Sequence, residues 1–243
     1  MVSSLSFFNK DNHSVFPWII AHVLVFNYSC TSIFHAMKNC FFFLFLLSLF
    51  NNFAQLSIKD SAPLQNHSLK NIDETTVTLT QAVNKNGLIV VFSCNSCPFV
   101  VGSDDFPGWE TQYDSLYKAA QANEIGFILV NSNEGKRSQA DSFEEMKKHA
   151  QEQGYAMPYL LDTESQLADA FGAKTTPHVY FFDEDLTLIY SGSIDNTWDK
   201  SRKEDSPYLF NAIRAKGNHK KIKPNATEPK GCGIKRVKAP IKN

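Results

Sequence analysis

The sequence predicts an α/β domain in which a central mixed β-sheet is flanked by helices on both faces. Apolar runs of strand length alternate with segments of helical periodicity, which is typical of a parallel sheet with crossover helices. The last two predicted strands are separated only by a short polar turn, so we expect an antiparallel pair at one edge. The 243-residue chain contains no internal repeat.

The composition is that of an ordinary globular protein. Hydrophobic residues make up 43% of the chain, charged residues make up 20%, and the formal net charge is -1 at pH 7. A nearly neutral chain has no general attraction for nucleic acids or anionic membranes, so we expect no nucleic-acid partner. Five cysteines are too few for a disulfide scaffold of this length.

The N-terminal segment differs from the rest of the chain. Lys38 is followed by an apolar run from Phe41 to Phe50 and then by the small residue Ala54. This order is typical of a secretory signal peptide at about 37–54, although a buried core helix is an alternative. The run is too short to cross a hydrocarbon core of about 30 Å as a helix, so we expect no stable membrane span.

A signal peptide normally begins at the N-terminus, which makes residues 1–36 unexpected. We therefore predict that translation starts at Met37, and that residues 1–54 comprise an extension and the signal. Cys30 and Cys40 would leave with that segment. The mature chain would begin at about Gln55, carry three cysteines, and be exported to a periplasmic or extracellular location.

Three strands and a helix are predicted in the first half of the mature chain. The segment Thr76–Thr80, TVTLT, alternates in the manner of a strand. Gly87–Ser93 and Ile125–Val130 are continuous apolar runs, which favours buried central strands. Between them a helix is predicted by the one-sided spacing of Trp109, Tyr113, Leu116, Tyr117 and Ala120.

Capping boxes predict two further helices. Ser142 with Glu145 begins one, and Thr163 with Gln166 begins a shorter one. Their apolar faces would carry Phe143, Met146 and Ala150 in the first helix and Leu167, Ala168 and Phe171 in the second. The remaining predicted elements are two strands and a last helix, at His178–Phe182, Leu186–Gly192 and Pro207–Ala215.

The chain becomes strongly basic from Arg214 onward, where ten Lys or Arg residues accompany the single acid Glu228. Prolines interrupt any regular element in this region. We interpret residues 217–243 as a solvated basic tail that carries Cys232. Electrostatic docking to an acidic partner or an anionic lipid is the alternative.

Cys94 and Cys97 stand at the end of the predicted central strand, in the segment VFSCNSCPFV. Pro98 follows, and proline is favoured at the first position of a helix. We therefore expect Cys97 at a helix N-cap, where the helix dipole lowers the pKa of a thiol. Cys94 is close enough in sequence to be bridged to it.

Three roles are open to this cysteine pair. A closed zinc site needs four ligands, and the sequence has no second CxxC or paired histidines. A structural disulfide across two intervening residues would remove little chain entropy. A redox pair needs a strand-to-helix turn, a low-pKa sulfur and a nearby partner, and all three are indicated. The sequence therefore favours a redox pair with no metal and no cofactor.

Several segments together resemble the thioredoxin-like, peroxiredoxin-like proteins of the AhpC/TSA (redoxin) superfamily that carry a CN-x-CP motif. These segments are VVFSCNSCPFV, NSNEG, DSFEEMKKHAQEQGYAMPYLLD, FGAKTTPHVYFFD and GSIDN. The resemblance covers about residues 68–196 and extends to GCGIKR in the tail. It implies a thioredoxin-like fold for residues 55–216.

The resemblance also implies roles for single residues. Cys97 falls where these proteins have their nucleophilic or peroxidatic cysteine, and Cys94 falls where peroxiredoxins carry a threonine. The peroxiredoxin arginine has no convincing match. The second thioredoxin cysteine would fall at Val100, and the buried thioredoxin aspartate would fall near Val91.

The segment TTPH matches the loop that carries a cis-proline in this superfamily. Pro177 is therefore expected to be cis, and Thr176 is expected to offer its backbone to an extended substrate, with Pro98 as a further substrate-binding residue. From sequence alone, Pro177 would be an ordinary proline at a strand start. His178 either lies near the sulfurs or points into the sheet.

We expect an exported thiol–disulfide oxidoreductase in which Cys97 is the nucleophile, Cys94 is its partner, and Cys232 is a candidate second resolving cysteine. One alternative is a thiol peroxidase, in which Cys97 becomes a sulfenic acid that Cys94 or Cys232 resolves. Another is a Sco-like copper-binding module that uses Cys94, Cys97 and His178. The expected partners are a protein or small-molecule disulfide, or a hydroperoxide, and a reducing or oxidising redox partner.

Overall fold

The computed structural model describes residues 55–237. The predicted start at Met37, the signal peptide at about 37–54, and Cys30 and Cys40 lie outside this range, as does the end of the basic tail. Within the described range, no helix has both the length and the hydropathy needed to cross a membrane.

The described residues form nine strands, most of them short. These are β1 (Leu69–Asn71), β2 (Thr76–Val77), β3 (Leu88–Ser93), β4 (Gly126–Asn131), β5 (Tyr159–Leu161), β6 (Thr175–Thr176), β7 (His178–Phe182), β8 (Leu188–Gly192) and β9 (Cys232–Gly233).

Six α-helices are interspersed with the strands in the same range. They are α1 (Leu79–Ala82), α2 (Pro98–Val101), α3 (Tyr113–Ala122), α4 (Phe143–Gln153), α5 (Gln166–Phe171) and α6 (Tyr208–Gly217). Single 3-10 turns precede α3 and α5 at Trp109–Gln112 and Thr163–Ser165, and a third lies at Glu134–Lys136.

Seven strands form one mixed sheet in the order β2-β1-β5-β4-β3-β7-β8. All six residues of β3 are buried. This strand runs parallel to β4 and antiparallel to β7, and β7 pairs antiparallel with β8 at the edge. The predicted buried central strand and the antiparallel edge pair are therefore confirmed.

Alternate residues of β3 face two separate cores. Ile89 and Val91 pack on one face with residues of α3, α4 and α6, whereas Val90 and Phe92 pack on the other with residues of α1 and α5. Helices therefore cover both faces of the sheet, as the sequence predicts. This arrangement places the C-terminal end of β3, and the cysteines that follow it, at one end of the sheet.

The strand predicted at Thr76–Thr80 is wrong beyond Val77. Thr78 is the N-cap of α1, because its hydroxyl accepts a hydrogen bond from the Gln81 amide while the Gln81 side chain accepts one from the Thr78 amide. This reciprocal capping begins a helix where the alternation of side chains predicts a strand.

The caps predicted for the two middle helices have different outcomes. Ser142 caps α4 by accepting from the Glu145 amide at 3.2 Å, as expected. The Thr163–Gln166 cap is wrong, because the Asp162 carboxylate caps α5 instead. It accepts from the Leu167 and Ala168 amides at 2.9 and 3.0 Å.

The C-terminal segment is docked, which contradicts its interpretation as a solvated tail. Thr227 pairs with Ser191 of β8 through a backbone hydrogen bond of 3.0 Å, and Ile234 is buried in the core beside α5. Glycines allow the C-terminal segment to pack this closely against the domain. A Cβ at Gly231 would lie 2.2 Å from the Thr176 carbonyl oxygen, so only glycine allows this approach.

Candidate functional site

The cysteine pair lies at the C-terminal end of the central strand. Cys94 directly follows β3, and Cys97 is the N-cap of α2 with Pro98 at the first helical position, as predicted. However, α2 is a single turn of four residues. A helix this short has little dipole, so the state of the Cys97 sulfur depends mainly on its immediate neighbours.

Three free cysteines meet at this point. Cys94 and Cys97 are only 1% and 3% exposed, whereas Cys232 is half-buried. The backbone amide of Cys232 donates to the Cys97 sulfur at 3.3 Å. Cys97 Sγ lies 3.1 Å from the Thr176 carbonyl oxygen, and Cys94 Sγ lies 3.2 Å from the Thr176 hydroxyl. The structure thus brings together four of the predicted site residues.

The arrangement favours one thiolate between two thiols. A hydrogen bond from the Cys94 thiol, aided by the thiol and amide of Cys232, lowers the pKa of Cys97 to about 5 despite its burial. The same Cys97 bond, together with burial, holds the pKa of Cys94 well above its ordinary value. Burial, followed by the bond to Cys97, raises the pKa of Cys232 to about 11. Near neutral pH the thiol of this cluster that ionises most readily is therefore that of Cys97.

The loop before β7 faces these sulfurs. The Thr176–Pro177 peptide bond is cis, which confirms the expectation for Pro177. The backbone edge expected to receive an extended substrate is already paired, since Thr176 lies opposite Cys232 and Thr175 lies opposite Gly233. The chain's own C-terminal strand therefore occupies the position that the resemblance assigns to a substrate.

Pro98 is exposed and lines a cavity of about 510 Å³ beside the cysteine loop. Phe99 and Phe106 contribute aromatic walls, and Trp198 closes another side. Pro98 is the neighbour of Cys97 in sequence, but none of the three cysteines lines this cavity.

His178 lies on the opposite face of the sheet from the cysteines. It pairs with Phe92, and its ring packs against Tyr180 at 4.5 Å, in the second core layer, whereas Cys94 and Cys97 belong to the first. Burial lowers the pKa of His178 to about 3, so the ring is neutral.

The copper site proposed from Cys94, Cys97 and His178 is therefore wrong, because alternation along β7 directs the imidazole away from the sulfurs. Among residues 55–237, no group of three His, Cys, Asp or Glu side chains is arranged to hold a metal ion.

Sequence reasoning missed the buried polar groups beneath the cysteine loop. Asp141 is fully buried and accepts hydrogen bonds from the Asn95 amide and the Ser96 hydroxyl. Asn131, the last residue of β4, and Asn133, two residues later in the NSNEG segment, donate to the same carboxylate. The sequence feature that could have indicated these groups is the polar run NSNEG at the C-terminal end of β4. This strand lies next to β3, which leads into the cysteine loop.

Comparisons with known proteins agree with this architecture. A sequence model of the AhpC/TSA family matches residues 58–191. The crystal structure of an uncharacterized conserved protein from Geobacillus kaustophilus is 28% identical, with a TM-score of 0.67 over 75% of this chain and 94% of that one. A hypothetical protein from Sinorhizobium meliloti 1021 is 23% identical, with a TM-score of 0.65 over 76% of this chain and 98% of that one, and shows the same fold.

No functionally curated protein matches the chain. The mixed sheet with helices on both faces, together with the family match, confirms the predicted thioredoxin-like fold. Because the match spans more than half of the 243 residues, the chain belongs to the AhpC/TSA family and is a redox enzyme of the redoxin superfamily.

Proposed function

We propose that the protein is an exported thiol–disulfide oxidoreductase in which Cys97 is the nucleophile and Cys94 is its partner thiol. The observation that carries this proposal is the buried Cys97 sulfur, which accepts from the Cys232 amide at 3.3 Å and lies, like the Cys94 sulfur, against Thr176 of the cis-Pro177 loop. A low-pKa thiolate with a second thiol in contact is what disulfide exchange requires.

The exchange has two steps. The Cys97 thiolate attacks one sulfur of a protein or small-molecule disulfide, forms a mixed disulfide, and releases the other half as a thiolate. Cys94 then loses its proton and attacks the Cys97 sulfur, which forms the Cys94–Cys97 disulfide. The second half of the substrate leaves as a thiolate and takes up the proton. A redox partner returns the pair to its starting state.

Export is supported by the signal-like segment at 37–54. Sequencing the N-terminus of the protein isolated from its native cells tests this part. A mature N-terminus near Gln55 supports export, whereas a chain that retains residues before Met37 contradicts it.

A second candidate function is reduction of a hydroperoxide. The observation that favours it is the 3% exposure of Cys97 beneath the strand that carries Cys232, which admits a small oxidant more readily than a protein. The Cys97 thiolate would take one peroxide oxygen and become a sulfenic acid as the alcohol leaves. Cys94 or Cys232 would then form a disulfide with Cys97 and release water. Within the described part of the chain, no guanidinium contacts Cys97, which favours disulfide exchange.

A redox titration with the thiol state mapped by mass spectrometry separates these candidates. We expect a reversible Cys94–Cys97 disulfide that persists in a Cys232→Ala variant and is absent from a Cys94→Ala variant. If no such disulfide forms at any potential, the oxidoreductase proposal is wrong. Rapid consumption of hydroperoxide by the reduced protein, with sulfenic acid at Cys97, supports the peroxidase instead.

A further inference from the structure

A single buried carboxylate holds the loop between the two cysteines. Asp141 Oδ1 accepts from the Asn95 amide and from Asn131 Nδ2, both at 2.8 Å. Its Oδ2 accepts from the Ser96 hydroxyl at 3.0 Å and from Asn133 Nδ2 at 3.1 Å. Since Asn95 and Ser96 are the two residues between Cys94 and Cys97, the path of this loop depends directly on Asp141.

Neighbouring groups strengthen the same attachment. The Asn95 side chain donates to the Ala140 carbonyl and accepts from the Tyr159 hydroxyl, each at 2.8 Å. Tyr159 OH in turn accepts from Asn131 Nδ2 at 2.9 Å. The loop is therefore joined to β4, β5 and the segment before α4 by side chains that are buried or half-buried.

The same network reaches the segment that carries the third cysteine. Asn133 donates to Asp141 through its amide nitrogen and accepts the Lys235 amide through its oxygen at 2.9 Å. Gly135 donates to the Lys235 carbonyl at 2.6 Å. Because Lys235 follows Cys232 by three residues, the position of Cys232 is coupled to Asp141 through one asparagine side chain.

The donors to this carboxylate are all neutral. Among the described residues no Lys, Arg or His forms an ion pair with Asp141, and Arg137 donates instead to its backbone carbonyl at 2.6 Å. The carboxylate thus lies beside the cysteine loop without a direct ion pair among the described residues. After the bond to Cys97 and burial, this charge is a further cause that raises the pKa of Cys94.

We propose that Asp141 is the positioning residue of the three-thiol site. It fixes the Cys94–Cys97 loop in the geometry needed for exchange, orders the segment that carries Cys232 through Asn133, and keeps the negative charge on Cys97 rather than Cys94. This role rests on the proposed function, since it matters only where Cys97 acts as a nucleophile.

The test compares Asp141→Asn with the matched control Asp162→Asn in the purified protein. Asp162 is an equally buried carboxylate that also accepts from neutral donors, namely two backbone amides and the Ser132 hydroxyl, but it has no hydrogen bond to residues 94–97. Both variants lose comparable hydrogen bonds, so a purely structural effect would appear in both.

Two readouts report on the thiols rather than on stability. The first is the ratio of Cys97 to Cys94 alkylation by iodoacetamide at pH 7, and the second is the equilibrium of the Cys94–Cys97 disulfide with glutathione. In Asp141→Asn we expect the ratio to fall by about tenfold and the equilibrium to shift toward the dithiol by about tenfold, since one hydrogen bond to a charged group is worth at least that factor. Asp162→Asn should leave both within about twofold.

A folded Asp141→Asn protein with unchanged ratio and equilibrium overturns the proposal. If that variant does not fold, Ser96→Ala replaces it, because Ser96 is exposed and contributes only one of the four bonds. There we expect changes of about threefold in the same directions. An unchanged ratio and an unchanged equilibrium in Ser96→Ala overturn the proposal. Absence of a Cys94–Cys97 disulfide in the unsubstituted protein contradicts the proposed function instead, while the alkylation ratio still tests Asp141.

Discussion

Cys97 lies beside two other thiols, those of Cys94 and Cys232, and both lower the pKa of Cys97. The backbone amides of Cys232 and Phe99 lower it further. Donors to the charged form of a thiol stabilise the thiolate and oppose the cost of burying it. The low pKa of Cys97 thus depends first on Cys94 in the same loop, then on Cys232 from the C-terminal strand.

Cys94→Ala should raise the pKa of Cys97 toward the ordinary value of about 8.5, because it removes the largest stabilising contact of the thiolate. In the unsubstituted protein a pKa near 5 keeps Cys97 ionised from pH 6 upward, so its alkylation rate is nearly constant between pH 6 and 9. In the variant the rate should instead climb through this range. The measurement is the alkylation rate of Cys97 against pH.

Cys232→Ala serves as the comparison for that profile. It removes the smaller sulfur contact but keeps the backbone amide that donates to Cys97. We expect a smaller shift of the profile in the same direction. Identical profiles in Cys94→Ala and the unsubstituted protein would contradict the role assigned to Cys94.

At the level of secondary-structure elements, β9 is the segment that most changes the site. It pairs with β6 beside the cis-Pro177 loop and places Cys232 over Cys97. Gly231 allows this approach because it has no side chain to meet the Thr176 carbonyl. The strand therefore both supplies a thiol and covers the Cys97 sulfur.

Gly231→Ala should undock this strand. Its Cβ would lie 2.2 Å from the Thr176 carbonyl oxygen, whereas a Cβ at Gly233 would have its nearest neighbour, the Lys174 carbonyl oxygen, at 3.9 Å. We expect hydrogen exchange in residues 230–237 to rise by about tenfold in Gly231→Ala. This factor corresponds to the loss of one hydrogen bond to a charged group, such as that from the Cys232 amide to the Cys97 sulfur. The measurement is hydrogen–deuterium exchange followed by mass spectrometry.

Gly233→Ala is the matched control and should leave the exchange of this segment within about twofold of the unsubstituted protein. Equal protection of residues 230–237 in both variants would show that the approach of Gly231 to Thr176 does not hold the strand in place.

At the level of the whole molecule, two core layers meet at β3 and fix the site from below. Phe92 is fully buried, two residues before Cys94, with edge-to-face contacts to Phe171 at 5.5 Å and Tyr180 at 5.7 Å. Such packing holds the C-terminal end of β3 and therefore the start of the cysteine loop.

Phe92→Ala should lower the free energy of unfolding by about 3–5 kcal/mol, because it leaves a cavity among aromatic rings. Phe210 of α6 is 38% exposed, so Phe210→Ala should cost less than about 0.5 kcal/mol. Chemical denaturation of the reduced proteins measures both values. Similar losses for the two variants would contradict the importance of this aromatic contact.

The sequence determined the architecture where local pattern and burial agree. The apolar runs that became β3, β4 and β7 predicted buried strands, and the short turn before β8 predicted the antiparallel edge. Pro98 after Cys97 predicted the N-cap position, which the structure confirms. Failures arose where competing caps exist, as at Thr78 and Asp162, because a side chain that caps a helix leaves no periodic signal.

Only the tertiary structure decided how the site is assembled. Cys232 meets Cys97 across 135 positions of sequence, Asp141 meets the cysteine loop from the segment before α4, and His178 faces away from the sulfurs. Such contacts depend on which strands become neighbours and which face each side chain takes. Pattern and spacing determined the fold and pointed to Cys94 and Cys97, whereas the packing of distant segments decided what covers the Cys97 sulfur and which further groups lower its pKa.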